Sequence, residues 1–231
     1  MTIEEAIKQR HSVRKYIHKP LSTEVVRALE EKILECNKEG GLHIQLVTQE
    51  TKAFTGIMSY GKFHGVENYL VMAGKKADDL DERIGYYGEQ LVLLAQTLGL
   101  NTCWVGLSYR KVKEAYHIEE GEKLACMIAL GYGKTQGASH KIKTIEQVSN
   151  ATSDSPSWFR KGVEAALLAP TAINQQKFSF LLQSQESPGV GGKAKVLAKK
   201  GFSMVGYTQM DLGIAKLHFE IGAGTENFEW E

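Results

Sequence analysis

The stretch from Asp78 to Leu98 constrains this chain more than any other. Leu91, Leu94, Ala95 and Leu98 recur at i, i+3, i+4 and i+7, which lays one apolar stripe along a helix. Asp78, Asp79 and Asp81 stand where the positive end of the helix dipole favours carboxylates. Gly99 supplies the stop. Immediately afterwards, Thr102 to Val105 and then Leu124 to Leu130 read as buried strands.

Shorter elements surround this helix. Thr2 and Glu5 form a capping box that opens a helix ending near Gln9. Ser22 caps a second helix running to about Asn37, with Val25, Val26, Leu29, Ile33 and Leu34 on its apolar face, and Gly40-Gly41 end it. His43 to Thr48 and Tyr69 to Ala73 read as strands, the second entered from the turn-like His64-Gly65. The polar stretch from Asn150 to Ser157 reads as a linker. Beyond it the pattern gives a helix from Ser157 to Leu168, a strand from Phe178 to Leu182, a Gly/Lys loop around Gly189 to Lys195, a last helix from about Thr208 to Ile221, and a short tail. A faint internal repeat aligns Ser22, Arg27, Glu31 and Leu34 with Ser155, Arg160, Glu164 and Leu167. A second register aligns Leu91, Leu94, Leu98 and Gly99 with Ile214, Leu217, Ile221 and Gly222.

Composition narrows the function classes. The 28 basic and 27 acidic residues leave a formal charge of +1, so no global charge invites nucleic acid or an anionic membrane. No apolar run approaches the roughly 18 residues of a membrane helix, and the acidic start, Met1-Thr2-Ile3-Glu4-Glu5, lacks a signal-peptide core. Cys36, Cys103 and Cys126 are widely spaced, giving neither a metal-ligand pattern nor a disulfide framework. The expectation is a cytoplasmic protein without a metal. Cys103, inside a buried strand, reads as an inert core thiol, and Trp104 and Tyr132 as core or pocket wall.

One polar segment stands out. In Arg10-His11-Ser12-Val13-Arg14, an extended backbone turns Arg10, Ser12 and Arg14 to the same side. Two guanidinium forks and a hydroxyl in a row suit an elongated anion carrying a phosphate. From these residues alone, an ordinary solvated basic strand edge is the favoured reading.

Arg-x-Ser-x-Arg after an N-terminal helix resembles the opening of the nitroreductase family, FMN-dependent α+β oxidoreductases with mixed or antiparallel sheets flanked by helices. The resemblance implies that Arg10, His11, Ser12 and Arg14 contact the flavin. Leu98 to Gly106 resembles the family's Gly-Leu turn and strand, implying a backbone N–H at Val105 or Gly106 facing flavin N5. Ile128 to Tyr132 followed by His140-Lys141-Ile142-Lys143 resembles an ending in which two cations, here Lys141 and Lys143, meet the phosphate. Ala169 to Gln176 resembles the Ala-Pro-Ser-x-x-Asn-x-Gln-Pro segment, implying contacts from Pro170, Thr171 and Asn174; Gln176-Lys177 replaces the usual Gln-Pro.

That last segment sits about 130 residues later than the family's order places it. In the family it reaches the flavin from the opposite subunit of a homodimer. The resemblance therefore implies a fused, pseudo-dimeric chain of two unequal related halves, 1–149 with the cis contacts and 150–231 with the trans contact, holding one flavin. The implied activity is ping-pong transfer from NAD(P)H, through FMN, to a small nitroaromatic or quinone-like acceptor. No catalytic side chain is named, because protons can come from water. A non-enzymatic FMN-binding or sensor protein, or a specialised flavoenzyme for dehalogenation or flavin breakdown, remain the alternatives.

Overall fold

The computed structural model describes residues 1–55, 59, 61–183 and 193–231. The chain forms two compact units, Met1–Ser139 and His140–Glu231, each an α+β arrangement.

The first unit begins with α1 (Ile3–Gln9), whose capping box forms as the sequence implies: the Glu5 N–H donates to Thr2 Oγ1 at 3.2 Å and the Thr2 N–H to Glu5 Oε2 at 2.9 Å. The next helix, α2 (Thr23–Gly40), is capped by Ser22 and closed by Gly41 at φ 57°, a left-handed conformation that glycine adopts without steric cost. Its buried residues are Leu29, Ile33, Cys36 and Gly40. The expected face was thus tilted by a few residues: Leu34 is 70% exposed, because the stripe continues through Cys36 and Gly40 on the other flank. Gly40 is where α2 meets Tyr87, whose ring carbon lies 2.6 Å from where a Cβ would sit.

Four strands follow: β1 (Gln45–Val47), β2 (Asn68–Lys75), β3 (Asn101–Val105) and β4 (Glu122–Gly131). They form one antiparallel sheet in the order β1-β2-β4-β3. β1 is shorter than the six residues expected from His43 to Thr48, since the Asn37 amide takes both backbone groups of Ile44, accepting from its N–H at 2.7 Å and donating to its carbonyl at 2.9 Å. The long helix α3 (Leu80–Thr97) packs on β2, β3 and β4 and against α1 and α2. It is apolar on more than one stripe, with Leu91, Val92, Leu93 and Ala95 all buried, as a helix covered on several sides must be.

The second unit holds α4 (Ile145–Val148), α5 (Ser157–Leu167), β5 (Phe178–Leu182), β6 (Ala194–Lys200), α6 (Thr208–Ala223) and β7 (Phe228–Trp230). Its sheet runs β5-β6-β7, antiparallel then parallel. Two expectations are corrected here. The tail is a strand, because Phe228 and Trp230 join an aromatic cluster with Phe159, Phe180 and Phe219, in which the Phe180 and Phe219 rings stack at 4.6 Å. Of the expected Gly/Lys loop, residues 189–192 lie outside the described residues, while Lys195 lies in β6, where Val196 is buried.

The boundary between the units falls ten residues before the polar stretch at 150. Asn150 is anchored rather than loose, its amide donating to Leu182 O and accepting from Leu182 N–H at 2.9 Å each.

Both units run helix, antiparallel strand pair, helix, strand: α2-β1-β2-α3-β3 in the first, α5-β5-β6-α6-β7 in the second. The first adds β4 between β2 and β3, whereas β7 pairs directly with β6. Among the described residues no helix is long and apolar enough to cross a membrane.

Helices α5 and α6 approach closely at Gly162, where a Cβ would lie 2.8 Å from the Phe219 ring and 2.9 Å from the Ala223 Cβ. A Gly162→Val substitution is therefore expected to destabilise the protein by about 2 kcal/mol, measured as a lowered urea midpoint with retained far-ultraviolet circular dichroism.

Candidate cofactor site

Arg10 lies at the C-terminal cap of α1 in extended backbone, so its side chain leaves the helix and enters the unit. Ser12 pairs in a parallel bridge with Thr102, and the Val13 N–H donates to Thr102 O at 3.0 Å. The segment thus runs along the open edge of β3. Val13 and Tyr16 go to the core, while Ser12 is half-buried and Arg14 exposed. Arg10 departs from the solvated picture, because it is 3% exposed.

Burying a guanidinium is costly unless it is paired and hydrogen-bonded. Glu89, fully buried in the middle of α3, supplies a carboxylate 3.8 Å from Arg10 Nε, too long for a hydrogen bond. Glu89 also accepts from Trp104 Nε1–H at 2.9 Å. The compensation is incomplete: burial lowers the Arg10 pKa more than Glu89 raises it, and Arg10 Nε and Nη1 have no hydrogen-bond partner. Arg10, Ser12 and Arg14 are gathered about one point. Burial raises the Cys103 thiol pKa, and Arg14, a Ser12 hydrogen bond and Arg10 oppose that rise. Val105 is buried two residues beyond Cys103 along β3, roughly 7 Å away, and Gly106 follows at the strand end. His11 is half-buried, its Cβ 2.7 Å from where Gly137 would carry one.

The remaining expected residues belong to the second unit, and the structure brings them together around one they omitted, Gln176. The Gln176 amide donates to Lys141 O at 2.9 Å and to Asn174 Oδ1 at 2.8 Å, and its Oε1 accepts from the Lys143 N–H at 2.9 Å. Lys143 Nζ donates to Gln176 O at 2.6 Å. Thr171 Oγ1 accepts from the Gln176 N–H, and Asn174 Nδ2 donates to Lys141 O at 2.8 Å. The amide of Asn174, the Lys143 ammonium and the Thr171 hydroxyl thus stabilise the turn itself. Lys141 is exposed, and Pro170 is buried at the end of α5. Ile173, Asn174 and Gln176 all have positive φ, at 48°, 58° and 45°, conformations that cost non-glycine residues about 1–3 kcal/mol each.

The sequence from residue 2 to 223 matches the family model described as "Putative TM nitroreductase". This chain belongs to that nitroreductase family. Among solved structures it is similar to a "putative nitroreductase" from Thermotoga maritima, with a TM-score of 0.61 at 24% identity, covering 96% of this chain and 83% of that one. A nitroreductase family protein from Clostridium difficile gives 0.50 at 18%, covering 66% of this chain and 99% of that one. A "Putative NADH dehydrogenase/NAD(P)H nitroreductase" from Parabacteroides distasonis gives 0.50 at 19%, covering 63% and 95%. At these identities the likeness is one of fold. No curated protein matches.

Two buried acids of this nitroreductase-family chain were missed by sequence reasoning. Glu89 carried a signal, a carboxylate between Gly88 and Leu91 on the buried side of α3. Asp211 carried a similar one in the apolar helix α6. Its Oδ1 accepts from the Ala172 N–H at 2.9 Å and its Oδ2 from Gln175 Nε2 at 2.7 Å. Burial nevertheless dominates and raises its pKa to about 6.

The folded chain therefore holds the Asp211 proton more tightly than the unfolded chain. Its favourable contribution is present in full below the unfolded value of 3.8 and is lost as pH rises to about 6, a change of about 3 kcal/mol. Urea unfolding between pH 4 and 7 is expected to show wild type losing stability relative to Asp211→Asn across that window. Parallel curves would contradict this account.

Proposed function

We propose that this chain is an FMN-dependent oxidoreductase of nitroreductase type, passing electrons from NAD(P)H to nitroaromatic or quinone-like acceptors in ping-pong turnover. The observation that carries this reading is the undercompensated guanidinium of Arg10. A buried, permanently charged fork with two donors lacking an acceptor is suited to an anionic, oxygen-rich group, and FMN is such a group. Membership of the nitroreductase family supports the same cofactor.

FMN, when bound, supplies the hydride chemistry. The protein's part is preorganised electrostatics. Arg10 is held by Glu89 and the α1 exit before any ligand arrives, so its charge needs no reorganisation when negative charge develops beside it. Arg14 adds a second guanidinium at the same edge, and Ser12 a hydroxyl that donates or accepts. The main-chain N–H near Val105 or Gly106 would be the donor to the flavin ring. No side-chain acid is needed. The helix, strand pair, helix, strand order shared by the two units supports a pseudo-dimeric reading.

Purified protein is expected to show visible flavin absorbance at about one FMN per chain, and NAD(P)H oxidation with an added quinone. Arg10→Ala should weaken FMN binding by about thirtyfold, corresponding to about 2 kcal/mol for charge-assisted bonds, measured by flavin fluorescence titration. A colourless protein that takes up no FMN overturns the proposal. Flavin uptake without NAD(P)H oxidation would mark a binding protein instead.

A further inference from the structure

The first unit contains a concavity of about 530 Å³ remote from the Arg10 edge, at the start of β4. Lys76, Lys111, Lys113, Lys123, Tyr116 and Glu122 are among the residues lining it. Among the described residues, Lys123 is the one lining lysine with an ion-pair partner, Asp81 at 2.8 Å. The Glu122 carboxylate, the acid in the lining, is already occupied: Oε2 meets His43 Nδ1 at 2.8 Å and accepts from the Glu119 N–H at 2.9 Å. Tyr116 adds a hydroxyl whose oxygen is buried without a hydrogen-bond partner. Burial raises its pKa. Ammonium point charges, with the acid among them engaged elsewhere, present phosphate-binding chemistry.

The register of the sheet fixes where this concavity lies. Val105 pairs with Met127 across β3 and β4, and β3 runs antiparallel to β4, toward its start. Lys123 is four residues from Met127 on β4, roughly 13 Å, a distance an extended dinucleotide can span. Given the oxidoreductase reading above, on which this step rests, we infer that the concavity binds the adenosine-side phosphates of the reductant. The unshared lysines make the 2′-phosphate a favourable addition, so NADPH is the preferred reductant.

The probe is adenosine 2′,5′-bisphosphate, which needs neither flavin nor turnover. Calorimetry on the purified chain should show it binding at least tenfold more tightly than adenosine 5′-monophosphate, and more weakly as salt rises. Lys111→Gln/Lys113→Gln, at two exposed positions, should lose that preference while retaining FMN. The same variant should raise the NADPH KM about tenfold with kcat and the NADH KM unchanged. Lys76→Gln serves as an independent second variant with the same expected direction. Equal binding of the two nucleotides, or FMN-loaded wild type and variant using NADPH and NADH alike, overturns this inference alone. Bisphosphate binding by a chain that takes up no FMN overturns the reductant assignment together with the oxidoreductase reading.

Discussion

A guanidinium taken out of water must be answered by something, and the first unit is arranged around that requirement. Arg10 is the last residue of α1's influence, Glu89 the middle of α3, and Trp104 the second-last residue of β3. One carboxylate faces both the guanidinium and the indole N–H. Gly88 permits this, since a Cβ there would lie 2.5 Å from the Trp104 ring. The compensation stops short: 3.8 Å is ion-pair distance without a hydrogen bond, and desolvation outweighs it. A fully satisfied arginine would be a structural strut; an incompletely satisfied one keeps donors for something else. The anion-binding character of the edge and the packing of the central helix are therefore the same constraint seen from two sides.

The second unit meets a different difficulty. Its turn after α5 places three non-glycine residues at positive φ within a few positions, and such conformations persist only where surroundings over-determine them. Gln176 from within and Asp211 from beneath do this, joining Lys141, Lys143, Thr171, Asn174, Ala172 and Gln175 by hydrogen bonds. Asp211 remains ionised above pH 6 at a desolvation cost, so its two accepted bonds come at the expense of global stability. That is the pattern expected where a local conformation matters more than the last few kilocalories.

The periodic parts of this architecture were legible. The α3 stripe and the capping box at Thr2 each follow from a local rule that tertiary structure had no reason to override. Leu34 was misplaced because two stripes on α2 differ by one side chain's rotation, and only the presence of Tyr87 against Gly40 selects between them. The strand β7 was illegible because three residues show no period; it exists through the aromatic cluster that Phe228 and Trp230 complete. At the candidate site, the family resemblance singled out residues in each unit but not how their polar atoms are used. Nothing in Asn174's position shows that its amide turns to Lys141 O, nor in Arg10's that Glu89, 79 residues away, stands against it.

The difference between the two units follows from one strand. Each runs helix, strand pair, helix, strand, but in the first the chain continues past β3 through a lysine-bearing loop into β4, which inserts between β2 and β3. β3 lies at the sheet edge, where its free backbone side receives Ser12 and Val13. β4 brings Lys123 and Glu122 opposite Gly74 and Lys75 at the end of β2. In the second unit β7, joined directly to β6, is also an edge strand, without an inserted strand beside it. Of the features suited to binding anions in the first unit, the Arg10 edge rests on β3 and the lysine concavity on the start of β4. An unpaired β3 edge needs the Arg-x-Ser-x-Arg segment to cover it, so the strand that builds the site is also the reason the site's own residues are held there.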